Sequence, residues 1–327
     1  MNWGTFYRGK TVVVSGASGY IAGALLEILK HFAAKIVRLS RAPLPPLVGS
    51  ATCTDLVGDY SNSEFWRSAL PEADAIFHLA AQTSFYKAAQ DPEADFRANV
   101  APLRVILETC RKEGHRPFIV FAGSATQVGL PRQLPVDESH PDEPVTIYDL
   151  HKLTAENLLE GYARQGLARG ATLRLANIYG PGTQSSSTDR GILNAMVGRA
   201  LRGERLTIYG DGRPVRDYLY IDDTVAAFLA AGRGESAPNG RHFVIGSGRG
   251  VSLADCFRLV AERVSVKTGM YVSVVSVPEP AGQSLIESRR FVANASAFRQ
   301  AVGWAPEVTL EDGIDRTIDR MRIAAPI

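Results

Sequence analysis

Apolar runs of strand length alternate with segments of helical period from Thr11 to about Asn177. The runs fall near 11–15, 35–39, 52–56, 75–79, 117–122 and 171–176, and Val12-Val13-Val14 and Phe118-Ile119-Val120-Phe121 are unbroken rather than alternating. A continuous β-branched or aromatic run of this length reads as a strand covered on both faces, as in a parallel sheet. Between the runs, the pattern predicts helices over Ile21 to Phe32, Asp91 to Lys112 and Leu150 to Tyr162. Strand and helix in regular alternation predict an α/β fold with a doubly wound parallel sheet. The rhythm changes after Tyr179. Gly182 to Asp189 is a polar loop, expected to be mobile until a ligand binds. A helix is predicted over Gly191 to Arg202, His242 to Gly246 reads as one more strand, and the terminal Ala-Ala-Pro-Ile is expected to fray.

The turn after the first strand adds a site to the fold. Lys10 to Ser15 runs straight into Gly16-Ala17-Ser18-Gly19-Tyr20-Ile21-Ala22 and on into the first helix. Strand, Gly-rich turn and helix in that order form a Rossmann site for the pyrophosphate of a dinucleotide. Gly16 permits the tight turn, Gly19 lets phosphates approach the backbone, and Ala22 is small enough for the helix to pack close to the strand. The helix then offers unpaired N–H groups and its positive dipole end. The end of the second strand, Lys35 to Ser40, bears on the cofactor. An acid about 20 residues past the glycines would take a ribose 2′-hydroxyl. This chain has Ser40 and Arg41 there, with Arg38 just before. A hydroxyl and a guanidinium suit a 2′-phosphate, so NADP(H) is the favoured cofactor and NAD the alternative.

Candidate chemistry lies further along. Tyr148 and Lys152 are four apart at the start of a helical segment. Residues at i and i+4 share a helix face with Cβ atoms roughly 5–6 Å apart. A cation beside a phenol stabilises the phenolate and makes Tyr a usable proton donor or acceptor for interconverting a carbonyl and an alcohol. The buried strand Pro117 to Ala122 delivers Gly123-Ser124-Ala125-Thr126 to its carboxyl end, where open α/β sheets bind ligands. The Ser124 hydroxyl can hydrogen-bond a substrate oxygen there.

Composition narrows the picture little. The chain has 327 residues, 45% hydrophobic and 21% charged, with 36 basic against 34 acidic side chains. That balance gives no reason to invoke nucleic acid or a membrane surface. Cys53, Cys110 and Cys256 are widely spaced, show no metal spacing, and suit free thiols in a reducing compartment. Met1 to Lys10 lacks the apolar run of a signal peptide, and no stretch approaches the ~18 apolar residues of a spanning helix. A cytoplasmic protein with no metal is expected.

Together these residues resemble the extended short-chain dehydrogenases/reductases, specifically the NAD(P)-dependent nucleotide-sugar epimerase/dehydratase family, over nearly the whole chain. The Gly16 to Ala22 turn is similar to the family's Gly-x-x-Gly-x-x-Gly, with Ala last. Leu56-Val57-Gly58-Asp59 resembles the adenine-contacting segment, Phe77 to Ala81 the strand under the cofactor, and Asn99 the family's Asn-Val position. Leu173 to Gly182 with Asn177, Leu206 to Tyr218 with Arg216, and Arg289-Arg290 with Gly303-Trp304-Ala305-Pro306 resemble sugar-nucleotide-binding segments. The resemblance implies cofactor contacts from Gly16, Ser18, Gly19, Tyr20, Ile21, Ser40, Arg41, Asp59, Tyr60, Leu79, Ala80, Ala81, Tyr148 and Lys152. It implies substrate contacts from Thr83, Ser124, Thr126, Asn177, Tyr209, Arg216 and Arg289, and catalysis by Ser124, Tyr148 and Lys152. It also implies a dinucleotide-binding domain over 1–178 with a returning segment near 218–247, and a substrate lobe from 179–217 and 248–327. A homodimer through the helix bearing Tyr148 and its 91–112 neighbour is expected.

The departures are informative. Dehydratases of this group carry Asp-Glu after the catalytic hydroxyl residue, where this chain has Ala125 and Thr126. Neither is an acid or base at neutral pH, which disfavours elimination of water by that route. Gln127-Val128-Gly129 stands where many relatives have Val-Tyr-Gly. The expected activity is hydride transfer at a hexose carbon of a nucleoside-diphosphate sugar, C4 by analogy, as epimerase or 4-ketoreductase. The alternative is a non-catalytic NADP(H)-sensing protein of the same fold.

Overall fold

The computed structural model describes residues 4–32, 35–182, 191–234, 239–279, 282 and 284–324. The Gly182 to Asp189 loop lies outside them except for Gly182, as do the last three residues. The strands are β1 (Thr11–Ser15), β2 (Lys35–Ser40), β3 (Thr52–Val57), β4 (Ala73–His78), β5 (Phe118–Ser124), β6 (Arg169–Leu175), β7 (Asn177–Tyr179), β8 (Leu206–Tyr209), β9 (Val215–Tyr220), β10 (Arg241–Ile245), β11 (Gly250–Ser252) and β12 (Val274–Val277). Seven of them form one sheet in the order β10-β6-β5-β4-β1-β2-β3, with every pair parallel. The chain runs outward from β1 in one direction, then crosses back to β4 and outward in the other. The strand order therefore reverses between β1 and β4, and a crevice opens above their carboxyl ends.

The unbroken apolar runs are buried because helices cover both faces. Successive residues of β1 point to opposite sides. Val12 and Val14 join Leu25, Leu29, Phe77, Phe228 and Phe243 on one side, while Val13 joins Leu39, Trp66, Ile76, Leu103 and Phe121 on the other. The further strand read near His242 to Gly246 is β10, which pairs with β6 at the sheet edge.

One helix differs from expectation. In place of a single helix over Asp91 to Lys112 there are two, Pro92–Asn99 and Ala101–Glu113, preceded by Phe85–Gln90. Pro102 sits in the first turn of the later helix. It has no N–H to give, and its ring would clash with the carbonyl four residues back, so a continuous helix breaks just before it. Ser84 and Asp91 cap the Phe85–Gln90 and Pro92–Asn99 helices by accepting the N–H groups of Lys87 and Ala94.

The stretch after Tyr179 gives little periodic signal because its strands are short and their partners distant. β8 pairs with β12, and β9 lies between β7 and β11. These two small sheets pack with the Ile192–Leu201, Leu253–Thr268 and Leu310–Ala324 helices around a second core of Met196, Val197, Tyr218, Phe257, Val260 and Ile314.

Candidate active site

The cofactor end is shaped mainly by backbone. Gly16 leaves β1 at φ +70°, where a Cβ would lie 2.7 Å from the Cα and N of Ala80. Its N–H donates to the Tyr60 hydroxyl at 3.1 Å, and that hydroxyl donates to the Leu39 carbonyl at 2.9 Å. Gly19 caps the Tyr20–Leu29 helix without a side-chain acceptor, so the first N–H groups of that helix face the crevice for an anion. Behind the turn, Ser15 gives its hydroxyl proton to His78 Nδ1 at 2.7 Å and accepts the N–H groups of Leu79 and Ala80. This fixes the Leu79-Ala80-Ala81 segment against the Gly turn. His78 is fully buried, and burial, followed by the charge of Lys152, pushes its pKa down to about 3. The imidazole is neutral and serves as an acceptor.

The second strand corrects one expectation. Arg38 does not reach the crevice. Its guanidinium donates to both oxygens of Asp55, at 2.6 and 2.5 Å, and to the Pro45 carbonyl at 3.0 Å. Arg38 and Asp55 are register partners in the β2–β3 pair, which the sequence of either strand alone does not reveal. The Ser40 hydroxyl donates to the Ala42 carbonyl at 2.5 Å. Arg41 is exposed and lines the cavity rim, with Asp59 and Tyr60 nearby on the same wall. Asp59 accepts the N–H and the hydroxyl of Ser61, which hold its carboxyl below the usual range.

At the centre, β5 ends in Ser124 and the Ile147–Arg164 helix presents Tyr148 and Lys152. All three side chains line one cavity with the Gly turn. Tyr148 and Lys152 are 5% and 2% exposed, so both work in a desolvated setting. The Lys152 ammonium lies 4.3 Å from the centroid of the Phe121 ring, a cation–π contact that offsets part of its burial cost. Ser124 starts a single 3₁₀ turn, Ala125–Val128, whose last polar side chain reaches back: Gln127 Oε1 accepts the Ser124 N–H at 2.7 Å. Gln127 Nε2 donates to Glu156 at 3.0 Å, and Glu156 is held by Arg174, which also pairs with Asp142. The hydroxyl end of β5 is thus tied to a buried charged network. Thr83 lines the cavity beside it. Below that wall, Asp95 accepts from Gln82 and Asn99, and the His151 ring lies 2.7 Å from its other oxygen.

The sugar end is built from side chains. Asn177 Oδ1 accepts from Arg289 at 3.1 Å. Arg216 is 3% exposed, and its guanidinium donates to the carbonyls of Glu287, at 2.7 Å, and Arg289. Burial pulls the pKa of Arg216 down. Tyr209 is half-exposed on β8 and lines the same cavity with Thr126, Asn177, Arg216 and Arg289. The cavity measures about 2340 Å³. Pockets for drug-sized ligands measure roughly 300–1,000 Å³, so this space has room for a dinucleotide and a second ligand. Tyr20 joins the two ends, donating from the start of the cofactor-side helix to the Gly180 carbonyl at 2.8 Å. Among the described residues, no group of three or more His, Cys, Asp or Glu is placed to hold a metal ion.

A family model, the NAD-dependent epimerase/dehydratase family, matches residues 12–246. The chain belongs to that family. A UDP-glucose 4-epimerase of Mycolicibacterium smegmatis is 28% identical over 95% of this chain and 98% of its own. A UDP-glucose 4-epimerase of Thermotoga maritima, solved with UDP-glucose, superposes with a TM-score of 0.84 at 27% identity, over 96% and 99% of the two chains. A UDP-glucose 4-epimerase of Thermus thermophilus, solved with NAD, gives 0.81 at 27% identity, over 96% and 100%. Every residue of the candidate set except Ser40 lines the wall of one cavity. Sequence reading passed over Gln127, Asp149 and the Asp95 cluster. Gln127 was visible as a departure from the relatives' Val, but its partner Glu156 lies on another element.

Proposed function

We propose that the protein is a nucleoside-diphosphate-hexose 4-epimerase that retains NAD, with a UDP-hexose as substrate. The observation that carries this is the convergence of Ser124, Tyr148 and Lys152 on the cavity that holds the Gly turn, with Ala125 and Thr126 where an acid pair would be needed to eliminate water. Bound against the Gly16 to Tyr20 turn, NAD would supply the hydride acceptor and donor for the sugar carbon. Tyr148 takes and gives back the proton of the sugar hydroxyl. Lys152, charged and buried beside it, favours the phenolate, and Ser124 orients the sugar oxygen. Arg289 and Arg216, at the far end, are the groups for the diphosphate.

NAD is proposed over NADP(H) because two of the three residues that favoured a 2′-phosphate are committed elsewhere: Arg38 to Asp55 and Ser40 to Ala42. Arg41 keeps a second reading open, a 4-ketoreductase using NADPH. We also propose the division into a cofactor part (1–178 with 218–247) and a sugar-nucleotide part (179–217 and 248–327), and a homodimer through the Ile147–Arg164 helix and the 91–112 segment, which forms the Pro92–Asn99 and Ala101–Glu113 helices. Phe96 and Leu150 leave apolar surface exposed on that pair. A cytoplasmic location is supported by three free thiols, and no described helix is long and apolar enough to cross a membrane.

The test is to denature the purified protein and identify any released dinucleotide, then incubate fresh protein with UDP-glucose and follow UDP-galactose formation. Retained NAD with turnover supports the epimerase. An empty site that prefers NADPH and converts only a keto-sugar nucleotide moves the assignment to the reductase. A Tyr148→Phe variant as active as the wild type in either assay would remove the catalytic reading in favour of a cofactor sensor.

A further inference from the structure

The three groups of the proposed chemistry come from two elements: Ser124 from the end of β5, Tyr148 and Lys152 from the Ile147–Arg164 helix. One side chain ties the two together. Gln127 is fully buried, and its amide oxygen accepts the Ser124 N–H at 2.7 Å. Its amide nitrogen donates to Glu156 at 3.0 Å. Glu156 follows Tyr148 and Lys152 at the same four-residue step, so the three lie along one side of the helix. Ser124 and Gln127 also form a capping box across the 3₁₀ turn, with the Ser124 hydroxyl accepting the Thr126 N–H at 3.3 Å. The Gln127 amide needs room to reach Ser124. A Cβ at position 123 would lie 3.0 Å from its oxygen and 2.6 Å from Thr172 Cγ2, so the slot is open because that residue is Gly. The far end of the brace is itself fixed. Glu156 takes Arg174 Nε at 3.2 and 3.1 Å, Arg174 pairs with Asp142, and the His242 ring lies 3.4 Å from Glu156. A bond from an amide to an ion polarises the amide and strengthens the bond at its other end. The turn has a second tie to the same helix, from the Thr126 hydroxyl to Asp149, and that hydroxyl lies 2.7 Å from Ser124 Oγ.

We propose that Gln127 is a positioning residue: by bracing the end of β5 against Glu156, it sets where the Ser124 hydroxyl stands relative to Tyr148 and Lys152. The inference rests on the proposed hydride transfer at a sugar carbon. There Ser124 and Tyr148 must meet the same sugar oxygen, and a misplacement of about 1 Å can cost on the order of 10²-fold in rate. The sheet alone does not fix that end. The last β4 pairing is His78 with Phe121, and β5 runs three residues further with a strand beside it on the β6 side only. A carboxamide suits the task because it carries an acceptor for the Ser124 N–H and a donor for Glu156. An apolar side chain of the same length supplies neither.

The experiment is a double-mutant cycle on the purified holoenzyme, reading kcat and KM for UDP-glucose together with dinucleotide binding. Gln127→Met keeps the length of the side chain and removes both hydrogen bonds. It is expected to lower kcat roughly two- to tenfold, the range set by one hydrogen bond, with KM and dinucleotide binding unchanged. In a Ser124→Ala background the same change is expected to cost less than about twofold, because the group it positions is gone. Gln127→Glu is the second arm, and it decides alone should Gln127→Met fail to fold. While the new carboxyl and Glu156 hold one proton between them, both hydrogen bonds are kept. Once that proton leaves, two carboxylates face each other. The kcat of this variant, as a ratio to wild type at each pH, is therefore expected to fall as pH rises over about 5 to 9. Equal losses from Gln127→Met in both backgrounds, or a Gln127→Glu ratio that is flat with pH, make Gln127 a structural residue and overturn the inference. A wild-type protein that turns over neither UDP-glucose nor a keto-sugar nucleotide overturns the proposed function and this inference together. Wild-type turnover with equal losses overturns this inference alone.

Discussion

The two ends of the cavity are made by opposite means. The cofactor end is backbone: a Gly turn at positive φ, the open N-terminus of the Tyr20–Leu29 helix, and a strand end clamped by Ser15. Its residues are consecutive or on adjacent strands. The sugar end is side chain: Arg216 and Arg289 are buried and held by each other's neighbourhood, and the bond from Arg289 to Asn177 spans 112 residues. A backbone-built site has no side chain to lose but cannot admit an extra atom. A side-chain-built site tolerates small shape changes but depends on charge and on distant packing. The same fold therefore offers a rigid platform and, facing it, a region where specificity is adjustable.

The largest effect is expected where the two ends meet. Tyr148→Phe should lower turnover about 10²- to 10⁴-fold, the span of general acid–base catalysis, and leave dinucleotide binding intact. Single-turnover kinetics with a parallel dinucleotide titration check both halves of that statement. At the cofactor end, Gly16→Val puts a β-branched side chain at φ +70° with its Cβ 2.7 Å from Ala80. Loss of stability of about 1–3 kcal/mol and at least tenfold weaker dinucleotide binding are expected, read by denaturant melts and titration. A variant that binds normally would mean the turn is not the pyrophosphate seat. At the sugar end, Arg289→Ala should raise KM for the sugar nucleotide roughly tenfold or more, as for a charged hydrogen bond, with the dinucleotide Kd unmoved. If both constants move together, the two ends are one mechanical unit and the contrast fails.

A pH experiment probes the clamp beneath the cofactor end. The native pKa of His78, about 3, lies below the unfolded value near 6.5. Between them the unfolded chain binds a proton that the native state refuses. The stability from neutral His78 is complete above pH 6.5 and is lost as pH falls towards 3, by about 1.4 kcal/mol per unit. From pH 6.5 to 5 the wild type should lose about 2 kcal/mol from this group. His78→Asn keeps an acceptor for Ser15 and should flatten that slope. Asp217, Asp222 and Asp223, whose carboxyls burial pushes up, act in the opposite direction in both proteins, so the readout is the difference between the two slopes. Equal slopes in the two proteins would exclude His78 as the titrating group. The smallest effect is expected from Arg41→Ala, an exposed residue: a several-fold loss of NADPH affinity at most, with NAD binding unchanged. A large loss of NADPH affinity would restore the 2′-phosphate reading.

Much of the fold was legible. All six strands read from the alternating region are present to within about two residues, because an unbroken apolar run is a local demand for burial on both faces. The helix break before Pro102 was also written locally, in a residue with no N–H, and the longer apolar period around it obscured it. The short strands after Tyr179 were not legible. β8 and β12 are four residues each, and each finds its partner only once the lobe has folded.

The sequence by itself determined the Gly turn between β1 and its helix, the carboxyl-end placement of Ser124, and the shared face of Tyr148 and Lys152. Each depends on neighbours within a few residues, where covalent geometry and helical pitch leave little freedom. Tertiary structure alone decided that Arg38 faces Asp55 and not a ribose, that Arg216 is anchored on carbonyls of the Glu287–Arg289 segment, and that a carboxylate between the Tyr and the Lys reaches Ser124 through Thr126. In each case the partner comes from strand register or from packing of elements far apart in the chain. A polar side chain takes the nearest partner that removes its burial cost, and which partner is nearest is a property of the folded chain.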